Sequence, residues 1–166
     1  MRNDHHVHIW RWLGLGRLLA TVLFVAACSV QIPQDPDGTL DRVRGDVLRV
    51  GVSHNPPWTS VDGNEPSGIE PELVREFAKT IDADVEWTIG GEETLVHQLE
   101  EGRLDLVIGG FTAKSPWVEH VALTRPYTTA PSASGEPEKY VMAVAKGENA
   151  FLVALERFLL AQDVQP

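Results

Sequence analysis

From residue 47 to residue 110 the chain alternates short apolar runs with amphipathic stretches, and this alternation limits its folds more than any other feature. VLRVGVS (47–53), ADVEWTI (83–89) and LDLVIGG (104–110) are β-branched or apolar runs with the length of buried strands. Between them lie IEPELVREFAKTID and EETLVHQLEEG. In the first, Leu73, Val74, Phe77, Ala78 and Ile81 recur at helical spacing, and Pro71 suits a first helical turn. In the second, Leu95, Val96 and Leu99 share one side and Gly102 stops the helix. Strand, helix, strand, helix, strand in this order predicts an α/β layer with parallel pairing. Ligands of such sheets collect at the carboxyl ends of the strands. The loops at those ends are HNPPW after the first strand and GGFTAKSPW after the third.

Downstream, VALTRPY (121–127) predicts a short strand, TTAPSASGEPE a polar loop, KYVMAVAKG (139–147) a further strand and ENAFLVALERFLLAQ (148–162) a closing helix. The expected fold class is therefore α/β: a central, mostly parallel sheet of about five strands flanked by helices. At 166 residues the chain has room for one ordinary domain of roughly 100–200 residues.

The N-terminal end has a different character. Arg2, Arg11 and Arg17 precede the apolar run LLATVLFVAA (18–27), and Cys28 follows. A basic region, a short apolar run and small residues are the pattern of a secretory signal peptide. Ten apolar residues fall well short of the about 20 that span a bilayer. Residues 1–27 are expected to be the signal peptide, 28–46 a tether rich in polar residues, 47–162 the folded lobe and 163–166 a tail. The formal charge is −10, and the arginines of residues 1–27 leave the remainder still more acidic. An acidic body excludes nucleic acid, which selects basic patches, and disfavours adsorption to anionic lipid by charge.

VAAC at the end of the apolar run resembles the lipobox of bacterial lipoproteins, which implies cleavage before Cys28 and lipidation of that residue, the chain's single cysteine. Several acyl chains on one residue would hold the protein at a membrane. The mature chain resembles the bacterial extracellular solute-binding proteins of family 3, which share their fold with the ligand-binding core of ionotropic glutamate receptors. LRVGV followed by NPPW is similar to the opening strand and aromatic loop of that family. GIEPELVREFA is similar to its glycine, aromatic or aliphatic, acidic, any, acidic signature, with Pro71 at a usually aliphatic position. LEEGRLDLVIGGFT and VALTRPY are similar to the segments that enter the ligand site and leave the first lobe. The resemblance implies a type II periplasmic-binding-protein-like lobe. Family members carry a second lobe after the proline-tyrosine; here only TTAPSASGEPE separates Tyr127 from the returning strand, so the second lobe is expected to be missing.

By the same resemblance, Trp58, Gly110 and Thr112 fall at ligand-contacting positions, as an aromatic wall, a close backbone approach and a hydroxyl donor. In the family an arginine after the third strand forks onto the ligand's carboxylate, and Trp117 stands there in this chain. Lys114 offers a charge nearby but no fork. Each has a plainer reading: Trp58 at the edge of the core, Thr112 as a turn cap, Trp117 as a plug or partner contact. His54, His97 and His120 lack metal-ligand spacing, so neither metal nor cofactor is expected. No paired catalytic carboxylates, nucleophile elbow or phosphate loop is evident, and the chain is not expected to be an enzyme. The expected function is capture of a small, polar, amino-acid-like solute, handed to an ABC-type importer by a lipoprotein anchored in the periplasm or at the cell surface. The alternative is an accessory or sensory lipoprotein whose exposed lobe face binds a partner protein or a second copy in a homodimer.

Overall fold

The computed structural model describes residues 35, 37–63 and 65–164. The expected signal peptide, Cys28 and the first part of the tether lie outside the described residues. The elements are α1 (Thr39–Val43), β1 (Val47–Val52), α2 (Ile69–Thr80), β2 (Asp84–Ile89), α3 (Glu92–Glu100), β3 (Leu106–Thr112), β4 (Ala122–Leu123), β5 (Thr128–Pro131), β6 (Pro137–Val144) and α4 (Asn149–Leu159). A single 3-10 turn, Pro116–Glu119, lies between β3 and β4. Among the described residues no helix is long and apolar enough to cross a membrane.

The sheet has six strands in the order β2-β1-β3-β6-β4, with β5 also on β6. β1 pairs parallel with β2 and β3, whereas β6 runs antiparallel to β3, β4 and β5. Successive strand residues face opposite sides. Leu106, Ile108, Met142 and Val144 therefore join one apolar cluster with α1, α2 and α4, and Val107, Val141 and Ala143 join another with α3. On the first side the rings of Phe77 and Phe151 meet edge-on at 5.9 Å. On the second, Leu95 and Leu104 press so closely on β1 that a Cβ at Gly51 would lie 2.8 Å from Leu104 Cδ1. The glycine in VLRVGV thus makes room for Leu104 and for Leu95 of α3.

Two expectations change. Residues 39–46 were expected within the tether, but α1 is part of the lobe: Leu40 and Val43 are buried. The Asp37 and Thr39 amides donate to the two carboxylate oxygens of Glu148, each at 3.0 Å. Five helical residues are too few to show a period, and their cap lies at the far end of the sequence. The second change is in TTAPSASGEPE, expected as a loop. It holds β5, a turn and the start of β6, joined by ladder pairs from Thr128–Tyr140 to Pro131–Pro137. β5 is polar because it is an edge strand, and Pro131 ends it, as proline is tolerated at an edge. This raises the strand count from five to six.

At the amino ends of β1 and β3, Asp105 ties three segments together. Its carboxylate accepts Arg49 N at 2.9 Å, Arg49 Nε at 3.1 Å, Arg49 Nη2 at 2.6 Å and Arg42 Nη2 at 2.5 Å. Burial pushes this carboxyl up, but the hydrogen bonds from Arg49 and Arg42 outweigh it and hold the group below the ordinary value. Replacing Asp105 by Ala strands a backbone amide and two guanidiniums that are themselves partly hydrated. The expected cost, from denaturant unfolding at pH 7, is about 2–3 kcal/mol. A depressed carboxyl stabilises above its unfolded value, so the wild-type advantage should shrink as the pH falls below the ordinary 3.8.

Candidate functional site

The carboxyl ends of β1 and β3 meet at the glycine pair. β3 keeps register with β6 at Val107↔Ala143 and again at Phe111↔Val141, so four steps on β3 match two on β6. The excess is a bulge at Gly109 and Gly110, and Gly110 takes a left-handed φ of 67°. Bulging withdraws the Gly109 and Gly110 amides from the ladder, and both donate instead to Glu70 Oε2, at 2.8 and 3.0 Å. The Gly109 carbonyl accepts Asn55 Nδ2 at 2.8 Å. A Cβ on Gly110 would lie 2.5 Å from Asn55 Nδ2 and 2.7 Å from Trp58 Cδ1. Only glycine lets the strand end lie this close to the first loop.

Glu70 is fully buried at the start of α2. Its amide donates to the Trp58 carbonyl at 3.0 Å, and its Oε1 accepts the Tyr127 hydroxyl at 2.6 Å. Desolvation pushes its carboxyl up; the bonds from Tyr127, Gly110 and Gly109 pull it down, and the result stands at about 7. Burial raises the Tyr127 hydroxyl, and the adjacent Glu70 charge raises it further.

The five sequence candidates divide. Trp58 and Gly110 are in direct contact, but Trp58 is only 4% exposed: its indole stacks on Tyr140 at 3.8 Å and meets Tyr127 edge-on at 6.3 Å. The geometry thus gives Trp58 its plainer role, as core under the site. Thr112 pairs with Tyr140 on β6, and its Oγ1 accepts the Lys114 amide at 3.4 Å. Lys114 is exposed and ion-paired to Glu138 at 3.0 Å. Trp117 turns towards α3: its Nε1 donates to Glu92 Oε2 at 3.1 Å, and its ring packs on the Leu95–Val121 side of the core. The Ser115 hydroxyl caps the turn by accepting the Trp117 amide at 3.4 Å. The histidines are turned elsewhere, His54 to the Val61 amide and His97 and His120 to Glu100 and Glu101. Sequence reasoning left Asn55, Tyr127 and Tyr140 out of the site, and gave Glu70 only as part of the family signature. The spacing Gly68-Ile69-Glu70 and the pair Pro126-Tyr127 were the available signals.

Residues 48–163 match the family model of bacterial extracellular solute-binding proteins, family 3. The chain belongs to this family. Membership places it outside the cytoplasm. Among solved structures, the arginine-bound form of domain 1 from TmArgBP superposes with a TM-score of 0.63 and 26% identity, over 76% of this chain and 98% of that one. EhuB in complex with hydroxyectoine shares the fold at a TM-score of 0.62 and 15% identity, over 74% of this chain and 86% of that one. Among curated proteins, the membrane-bound lytic murein transglycosylase F of Vibrio cholerae is 33% identical over 103 residues, 61% of this chain and 18% of that protein. The chain thus spans about a fifth of the length of the curated relatives it matches. The expected single type II lobe is what the chain forms, and where the family's second lobe would be inserted the chain makes the β5–β6 hairpin.

Two outcomes follow from the site's packing. Gly110→Ala should lower stability by about 2–4 kcal/mol in urea unfolding, since the methyl meets the indole and the backbone is left-handed. The raised Glu70 carboxyl means that the folded lobe holds this proton more tightly than the unfolded chain. Its contribution to stability should therefore be largest below the ordinary 4.5 and fall as the pH rises to about 7. By linkage this amounts to about 3 kcal/mol. Unfolding midpoints compared at pH 5 and pH 8 should show this slope in the wild type and its absence in Glu70→Gln.

Proposed function

We propose that this chain is a solute-binding lobe that captures a small, polar, amino-acid-like solute at the carboxyl ends of β1 and β3. In this reading it is a lipoprotein anchored through Cys28 on the extracytoplasmic side of a bacterial membrane, and it passes the solute to an ABC-type importer. It binds and releases and performs no chemistry. The observation that carries the reading is the likeness to domain 1 from TmArgBP in its arginine-bound form, matched over 98% of that chain. The glycine bulge presents backbone at the strand ends, and Thr112 and Lys114 lie just beyond it. One lobe buries less of a ligand than a clamp of two, so affinity is expected to be weak. Trp117 in place of a guanidinium fork removes bidentate capture of a carboxylate. Amines should therefore compete well with α-amino acids.

Calorimetry of the purified chain against arginine, other amino acids and small amines tests this. Saturable heat is expected, with Kd of about 0.1–1 mM, that is about −4 to −5.5 kcal/mol. Thr112→Ala should weaken binding several-fold. Absence of heat from every solute at millimolar concentration would sink solute capture.

A second reading is favoured by the 33% identity to a membrane-bound murein enzyme. Here the lobe is an accessory or sensory module whose strand-end face meets a partner protein or a second copy. Sedimentation of the same sample separates the two: a concentration-dependent dimer without solute heat supports the second.

A further inference from the structure

The carboxyl of Glu70 joins the parts that shape the strand-end site, and the solute-binding reading leaves it unused. Three donors converge on it: the Gly109 and Gly110 amides on Oε2, and the Tyr127 hydroxyl on Oε1. Each comes from a segment bordering the site. The glycines form the bulge at the carboxyl end of β3, and Tyr127 lies where the chain turns into the β5–β6 hairpin. Through its own amide Glu70 also holds the Trp58 carbonyl, and hence the loop after β1. We infer that Glu70 is the positioning residue of the solute-contacting strand end, and that a proton on its carboxyl rearranges the Gly109–Gly110 turn.

The reason is a mismatch in donors. An ionised carboxyl accepts all three bonds. A protonated one has a hydrogen of its own to place, and its three neighbours are all donors. A proton on Oε2 displaces a glycine amide. A proton on Oε1 must reverse the Tyr127 bond, leaving the phenolic hydrogen to find another acceptor in a site closed by Trp58 and Tyr140. Unmade bonds in a buried site are costly, so the turn shifts to recover them.

The surroundings leave the decision to these groups. On α2 itself, Glu72 and Glu76 are exposed. In the loop after β1, His54 accepts from the Val61 amide. Beyond the bulge, Lys114 is paired with Glu138. From the hairpin side come Tyr127 and, behind it, Tyr140. Among the described residues no cation pairs with Glu70 to lock it ionised. The balance of desolvation against three donors places its titration at about 7, where modest changes of external pH alter its charge.

This inference rests on the proposed solute site for its consequence but not for its test. The amide resonances of Gly109 and Gly110 in the folded chain are followed by nuclear magnetic resonance from pH 5 to pH 9. Both are expected to shift together with one midpoint near 7, and to stay flat in Glu70→Gln. Tyr127→Phe removes one bond that favours the ionised form, so its midpoint should move upward; this variant also serves if Glu70→Gln does not fold. Flat amides in the wild type, or the same titration in Glu70→Gln, would overturn the coupling. Arginine calorimetry at pH 5.5 and 8.5 then separates the two ideas. Titrating amides with no arginine heat defeat the solute reading alone, and arginine heat with flat amides defeats the coupling alone.

Discussion

The upper end of this lobe is organised by a single requirement: two backbone amides, released from the sheet by a bulge, must find an acceptor away from water. Glu70 supplies it. Meeting that need fixes the start of α2 against the end of β3, brings Tyr127 onto the same carboxyl and closes Trp58 beneath Tyr140. An unpaired amide in this position would cost more than most single contacts contribute, so the arrangement is held by a penalty avoided as much as by attraction. Gly110 is the steric counterpart, since its missing side chain is what lets Trp58 lie against the strand end.

A second buried carboxylate does comparable work at the other end of the sheet. Asp105 gathers Arg42 and Arg49 and fixes the entry into β3, while Glu148 caps the first turn of α1 from the far end of the chain. The two acids differ in what they meet. Cations hold Asp105 ionised, whereas neutral donors leave Glu70 balanced near neutrality. An acid that is always charged suits a fastening, and one that titrates suits a place where shape matters for binding.

The described residues form one lobe, and the β5–β6 hairpin completes the edge of its sheet. Trp117 spends its indole N–H on Glu92 and its ring on the core beside α3. At this position the side chain seals the lobe's own side.

The alternation of strands and helices, the family membership and the position of the strand-end loops were legible in the sequence, because apolar periodicity and short motifs are local signals. The α1 helix and the β5 strand were not, since a five-residue helix shows no period and an edge strand has no apolar face to display. Trp58 was legible with the core edge among its readings and Trp117 with a plug among its own, but the sequence did not show that Trp58 stacks on Tyr140 or that Trp117 turns to Glu92 on α3. Which acid would be buried was also beyond the sequence: Glu70 and Glu72 sit two apart on α2, and only the first turns inward. The sequence by itself determined that this is an α/β lobe of the solute-binding family, because that follows from local pattern. Only the tertiary structure decided that Gly109, Gly110 and Tyr127 would meet on one carboxyl, because hydrogen-bond partners separated by about forty to sixty residues are chosen by the packing of the whole sheet.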